Sequence, residues 1–284
     1  MSFDVASYVD SAQRVRDDDV DYTAFRDRPL SDAALRVLQY MSDVETHTIC
    51  YLRDLLVTPS HKDPEVTAFL TMWAYEEYWH GEVLDRVLAA HERPGGAQRA
   101  RDVRLAQGLG DKLAPILQSS AANLLGEDFV AVHMTFGAVN EWSTHAGYAR
   151  LLALEPHPEL RTLVGRIQRQ ETRHLAFYAS QARARLARSA RGRALTRWFL
   201  AHWWTPVGSS IMPRAETEFV LRHLLGGPDG ARVVERLDAK VDDLPGLAGL
   251  RLVATGVGAF GAGPLAGAPR PRLPNALRAL LGAA

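Results

Sequence analysis

The stretch EEYWHGE, Glu76 to Glu82, interrupts an apolar run: VTAFLTMWAY precedes it and VLDRVLAA follows. Val66, Phe69, Trp73, Leu84 and Val87 recur at the spacing of one helix face, and Glu77 and His80 fall on that same face. Charged side chains are rarely buried unless they are paired or bound to metal. A carboxylate and an imidazole one turn apart on an inward face can grip one ion together. Glu82 projects about 140° or more away from both and is expected at the solvent, whereas Glu76 lies only about 40° from His80 and is expected to support the site from outside.

Three further segments read as long helices. The first, from about Ser31 to Val57, opens on Ser31 as its cap and carries the stripe Leu35, Leu38, Met41, Glu45, Thr48, Leu52 and Leu55. The EEYWHGE helix runs from Asp63 to about Ala90, with Asp63, Pro64 and Glu65 as its start signal. A third spans about Gly126 to Leu154, with stripe Val130, Met134, Gly137, Glu141, Thr144, Tyr148 and Leu151. A fourth spans Pro158 to about Leu186, with stripe Leu160, Val164, Ile167, Glu171, His174 and Tyr178. Short connections make the first two, and the last two, antiparallel neighbours.

Each stripe carries one glutamate near its middle: Glu45, Glu77, Glu141 and Glu171. Two extend to Glu-x-x-His, as EYWH (Glu77, His80) and ETRH (Glu171, His174). Glu45 and Glu77 are 32 residues apart, and Glu141 and Glu171 are 30 apart. Both midpoints, residues 61 and 156, fall inside the connecting turns, so the carboxylates of each hairpin sit level. The roughly 35-residue join between hairpins is long enough to run the length of a bundle. Four carboxylates cannot share a dry core without cations, because repulsion and desolvation both oppose it. Four glutamates and two histidines suit two divalent ions, and mixed oxygen and imidazole ligation favours iron or manganese over calcium. The bland alternatives are acids that pair with arginine or protonate, or a vestigial site.

The rest of the chain sets bounds. It has 284 residues, 47% hydrophobic and 23% charged, an ordinary globular balance. Lys+Arg and Asp+Glu both total 33, so charge gives no reason to expect nucleic acid. The single cysteine, Cys50, excludes an intrachain disulfide framework. No apolar signal segment opens the sequence and no run of about 18 apolar residues occurs, so a cytoplasmic protein without a membrane span is expected. Residues 1–30 read as a polar, aperiodic arm, 31–190 as the bundle, 191–255 as further helices packed on it, and 256–284 as an irregular Gly/Ala/Pro-rich tail. Residues 97–124 read as one or two shorter helices with a break near 108–115. WFLAHWW (198–204) is expected to pack the C-terminal helices onto the bundle or to make a homodimer contact. The arginine run 183–197 offers a face for an acidic carrier or a phosphate, or is simply a solvated helix end.

With these residues in place, the chain resembles the ferritin-like di-iron carboxylate proteins, and within them the soluble acyl-carrier-protein desaturases. Their first motif, EENRHG, is similar to EEYWHG here; their DEKRHE to QETRHL; their ERAT to EWST, Glu141 to Thr144. The resemblance covers roughly residues 31–187. It implies an all-α four-helix bundle with a long crossover, two iron ions (or manganese, or one of each) on Glu45, Glu77, His80, Glu141, Glu171 and His174, and Thr144 near the oxygen-binding side. It implies an enzyme that takes O2 and electrons from an external donor and oxidises an unactivated C–H bond, foremost by desaturating an acyl chain on a carrier protein or CoA. Alternatives are hydroxylation of an apolar small molecule in specialised metabolism, and a non-catalytic role in handling iron or peroxide. The sequence departs from the desaturases at Gln170, where they carry aspartate, and at Tyr78-Trp79, where they carry Asn-Arg. The arylamine N-oxygenases carry an extra histidine where Ile167 stands here; His145 is one turn beyond Glu141, as an extra ligand or a neighbour of one. Tyr75 and Tyr78, close in sequence to the ligands, are minor candidates for a redox tyrosine.

Overall fold

The computed structural model describes residues 3–106 and 119–263, and no strand occurs among them. Two short helices, α1 (Val5–Ser11) and α2 (Ala24–Asp27), precede the long α3 (Asp32–Leu55) and α4 (Pro64–Ala90), which are joined by a 3-10 turn at Pro59–Lys62. Then come α5 (Gly96–Ala106), α6 at 119–125, and the long pair α7 (Glu127–Leu154) and α8 (Pro158–Arg188). Four shorter helices follow: α9 (Ala190–Trp203), α10 (Arg214–Leu225), α11 (Gly227–Asp242) and α12 (Leu252–Gly258). α3 packs along α4 and α7 along α8, so the chain is a helical bundle built on two hairpins.

Local chemistry sets the ends of these helices. The Ser31 hydroxyl accepts the Ala34 amide at 3.2 Å to open α3. The Asp63 carboxylate accepts the amides of Glu65 (3.0 Å) and Val66 (3.2 Å) to open α4, with Pro64 in the first turn, where a missing N–H costs nothing. Gly126 precedes α7 at φ 64°, a backbone region that disfavours other residues.

The inward stripes are buried: Leu38, Val66, Phe69, Met134, Leu160 and Ile167 are all fully enclosed. Each such side chain contributes about 1.5–3 kcal/mol relative to exposure. Gly81, which closes the EEYWHG motif, lets α3 and α4 approach closely, since a Cβ there would lie 2.6 Å from Thr46 Oγ1. α5 is tied down by Arg99, which donates to Asp43 on α3 at 2.7 Å and to Asp85 on α4 at 2.5 Å.

Two expectations about the flanks need correction. Residues 3–30 are not an aperiodic arm. They form α1 and α2 and bury Tyr8, Val15, Val20 and Phe25 against the bundle, because Asp4 caps a short amphipathic turn and the apolar side chains then find a hairpin face to cover. Nor does irregular chain begin at residue 256. α12 runs through it, with Asp238 accepting the Val253 and Ala254 amides at 2.7 and 3.0 Å, and Gly256 leaves room for the Trp204 ring. Residues 264–284 and the expected break near 108–115 lie outside the described residues.

WFLAHWW lies largely within α9, which packs along α7; at its end Trp204 is buried and donates to Asn140 at 3.0 Å. Most of the arginine run is engaged internally. Arg183 donates to the Asp243 carbonyl, Arg193 to that of Leu186, and Arg197 to those of Gly246 and Ala248, while Arg185 pairs with Asp63.

Candidate metal centre

The four long helices bring Glu45, Glu77, His80, Glu141, Glu171 and His174 to one buried place. Glu45, Glu77, His80 and Glu171 form one quartet, and Glu77, Glu141, Glu171 and His174 a second. Within each, one ligand atom per residue lies within 4.8 Å of the others. Glu77 and Glu171 belong to both. His80 Nδ1 stands 3.2 Å from Glu171 and 3.9 Å from Glu45. His174 Nδ1 stands 3.0 Å from Glu77, 3.4 Å from Glu171 and 3.9 Å from Glu141.

Several of the atoms facing this space lack hydrogen bonds. Glu77 Oε1, both Glu171 oxygens, His80 Nδ1 and His174 Nδ1 are buried with no hydrogen-bond partner. A buried polar atom left so costs about 1–3 kcal/mol, more when charged. A cluster of them, all oxygen or imidazole nitrogen and all turned inward, is the donor set that a metal ion would complete.

The electrostatics agree. Burial, followed by repulsion from neighbouring carboxylates, pushes Glu77 and Glu141 well above the usual carboxylate range. Burial also opposes charge on Glu171, but His174 and His80 outweigh it and hold this carboxyl well below that range. Burial works against the His174 imidazolium too, yet Glu171 and Glu76 hold it up, at about 10. Without metal, the centre therefore keeps protons to balance its acids.

Each half is braced by groups from another helix. Tyr148 donates to Glu45 at 2.6 Å, and Trp73 Nε1 donates to Glu141 at 2.9 Å. With Nδ1 left for an ion, His80 Nε2 donates to Gln170 Oε1 at 2.9 Å, and His174 Nε2 donates to Glu76 Oε2 at 2.8 Å. Such partners set the tautomer and ring direction of a metal-binding histidine. Glu76 also accepts from Tyr8 (2.9 Å), Arg173 (2.6 Å), the Gln13 amide (3.2 Å) and Gln170 (3.2 Å). Burial disfavours its carboxylate, but His174, Arg173 and Tyr8 together hold it below the usual range.

Glu76 thus supports the site as the helical wheel suggests, while Glu82 is only half-buried. Nothing in the sequence pattern singles out Tyr8 or Gln13. The signal was thin: an aspartate, then Val5 and Tyr8 three residues apart, too short a pattern to separate from an arm. Thr144 lies one turn beyond Glu141 on α7 and is half-buried. His145 is half-buried outside both quartets; burial holds its imidazole below the ordinary value. Ile167 is fully buried. Tyr75 and Tyr78 are 44% and 40% exposed; Tyr148 instead reaches Glu45 of the centre, and Tyr8 reaches the supporting Glu76. No protein-family model matches the chain, and neither a curated protein nor a solved structure matches it significantly.

Proposed function

We propose that this chain is a ferritin-like di-iron oxidoreductase that uses O2 to oxidise an unactivated C–H bond, foremost in an acyl chain carried on a protein or CoA. The observation that carries the reading is the pair of four-residue groups sharing Glu77 and Glu171, with their inward atoms lacking partners. Glu45 and His80 would complete one ion, and Glu141 and His174 the other. Bound there, two redox-active ions supply the electrons and open coordination positions that O2 chemistry needs.

The chain's own part is positioning and exclusion. Tyr148 and Trp73 orient the two unshared carboxylates, and Gln170 and Glu76 orient the two imidazoles. Phe69, Met134, Ile167 and Tyr178 keep the surroundings apolar and free of bulk water. Phe69 lies against Phe177 at 3.8 Å and edge-on to Tyr178 at 5.1 Å, which leaves a dry wall beside the ligands. Hydroxylation of a small apolar molecule would use the same machinery.

The test has two steps. Iron-supplied protein should hold about two metals per chain, as the ligand set requires, and a Glu77→Ala, Glu171→Ala double variant should lose most of them. Full retention in that variant would sink the assignment. Anaerobically reduced, loaded protein mixed with O2 and an acyl carrier should then yield an unsaturated chain. A hydroxylated product instead would move the reading to the hydroxylase.

A further inference from the structure

Immediately outside the two outer hydrogen bonds lies a cleft of about 790 Å3. Arg14, Arg16, Arg166, Arg169 and Arg173 line it, with Asp18 and Asp19 as the acids among its lining residues. With Glu76 behind the wall taking up Arg173, five guanidiniums meet three carboxylates and leave a surplus of two positive charges, in a chain whose formal net charge is +0. Like charges gathered this way repel one another, and a bound anion would relieve that repulsion.

The pairing shows which arginines are available. Arg166 forks onto Asp19 with two contacts of 2.6 Å. Arg14 pairs with Asp18 at 3.0 Å, and Arg173 with Glu76 at 2.6 Å. Arg16, from the segment after α1, and Arg169, from α8, are exposed, and neither has an acidic partner among the described residues. The fold therefore brings two unpaired guanidiniums from separate elements to one concavity.

We propose that this cleft binds a phosphate-bearing small molecule through Arg16 and Arg169. Guanidinium forks match phosphate oxygens two at a time, and a phosphate dianion balances both unpaired charges where a monocarboxylate balances one. The volume falls within the range of about 300–1,000 Å3 typical of small-molecule sites and leaves room for an organic body beside the phosphate. Gln170 and Arg173, the residues that hold His80 and Glu76, line the same cleft. The proposal does not depend on which metal the neighbouring centre holds or which reaction it runs.

Calorimetric titration of the full chain with glycerol 3-phosphate at physiological ionic strength tests it, on protein with and without metal. Binding is expected, with succinate, a dicarboxylate dianion, at least about tenfold weaker. Arg16→Gln with Arg169→Gln should weaken glycerol 3-phosphate binding at least about tenfold, since each lost charge-assisted bond is worth about that much. Both residues are exposed, so the variant keeps the fold, and an unchanged melting curve checks it. Arg183→Gln with Arg188→Gln, further along α8, should bind as the parent does. Absence of binding, equal binding by the Arg16/Arg169 variant, or succinate binding as tightly as the phosphate would each overturn the proposal.

Discussion

The two halves of the candidate centre share a plan and differ in one respect. Each has an unshared glutamate held by an aromatic donor, an inward Nδ1, and the two common carboxylates. The outer nitrogen of His80 meets a neutral amide, Gln170, whereas that of His174 meets a carboxylate, Glu76, itself gripped by Tyr8 and Arg173. A carboxylate partner raises the basicity of an imidazole more than an amide does, so His174 would be the stronger ligand of a bound ion. Two i, i+3 motifs that read alike in sequence therefore offer unequal sites. The inequality comes from the residue just before each motif's glutamate: Glu76 before Glu77 and Gln170 before Glu171, each serving the histidine of the other helix.

The largest effect should come from removing what the halves share. Glu171→Ala takes a ligand from both quartets and should lower the metal content from about two per chain to near none after dialysis, whereas Glu45→Ala should lower it to about one. Metal analysis of both proteins decides it, and equal losses would mean that Glu171 is not shared. Next is the contrast in outer partners. Glu76→Gln should weaken metal binding about 10–100-fold, as removal of such a partner does. Gln170→Leu should cost no more than about tenfold, because a neutral hydrogen bond is lost. Competition against a chelator measures both, and identical losses would erase the asymmetry.

The remaining contrast is between the metal-free and the metal-loaded centre, and pH reads it. The His174 proton persists to about 10, and Glu77 and Glu141 are pushed up by burial, so the metal-free centre holds protons at neutral pH. A metal must displace them, so affinity should rise with pH, by about tenfold per unit for each proton released, and fall on acidification. Adding metal in weak buffer should acidify the solution. If it releases no protons, the buried ligands were already deprotonated.

Much of this site could be read from the chain, for reasons that are local. A helical period places Glu77 with His80 and Glu171 with His174 wherever those helices lie, and turns at residues 61 and 156 level the four glutamates. Ser31 and Asp63 cap their helices through bonds to amides two or three residues away. The N-terminal helix is not legible in the chain because it is one short turn pattern whose burial depends on a partner surface. Tyr8 reaches Glu76 across 68 residues, and Gln13 reaches Gln170 across 157. No local pattern encodes such meetings.

The residue types of the candidate ligands, their spacing and their common height are legible along the chain, since they follow from backbone geometry. Which carboxylates both quartets share, which imidazole nitrogen turns inward, and the closing of the N-terminal segment over Glu76 emerge only once the helices are packed. Those outcomes depend on how side chains from different helices fit one another, and packing of that kind is set by neighbours distant in the chain.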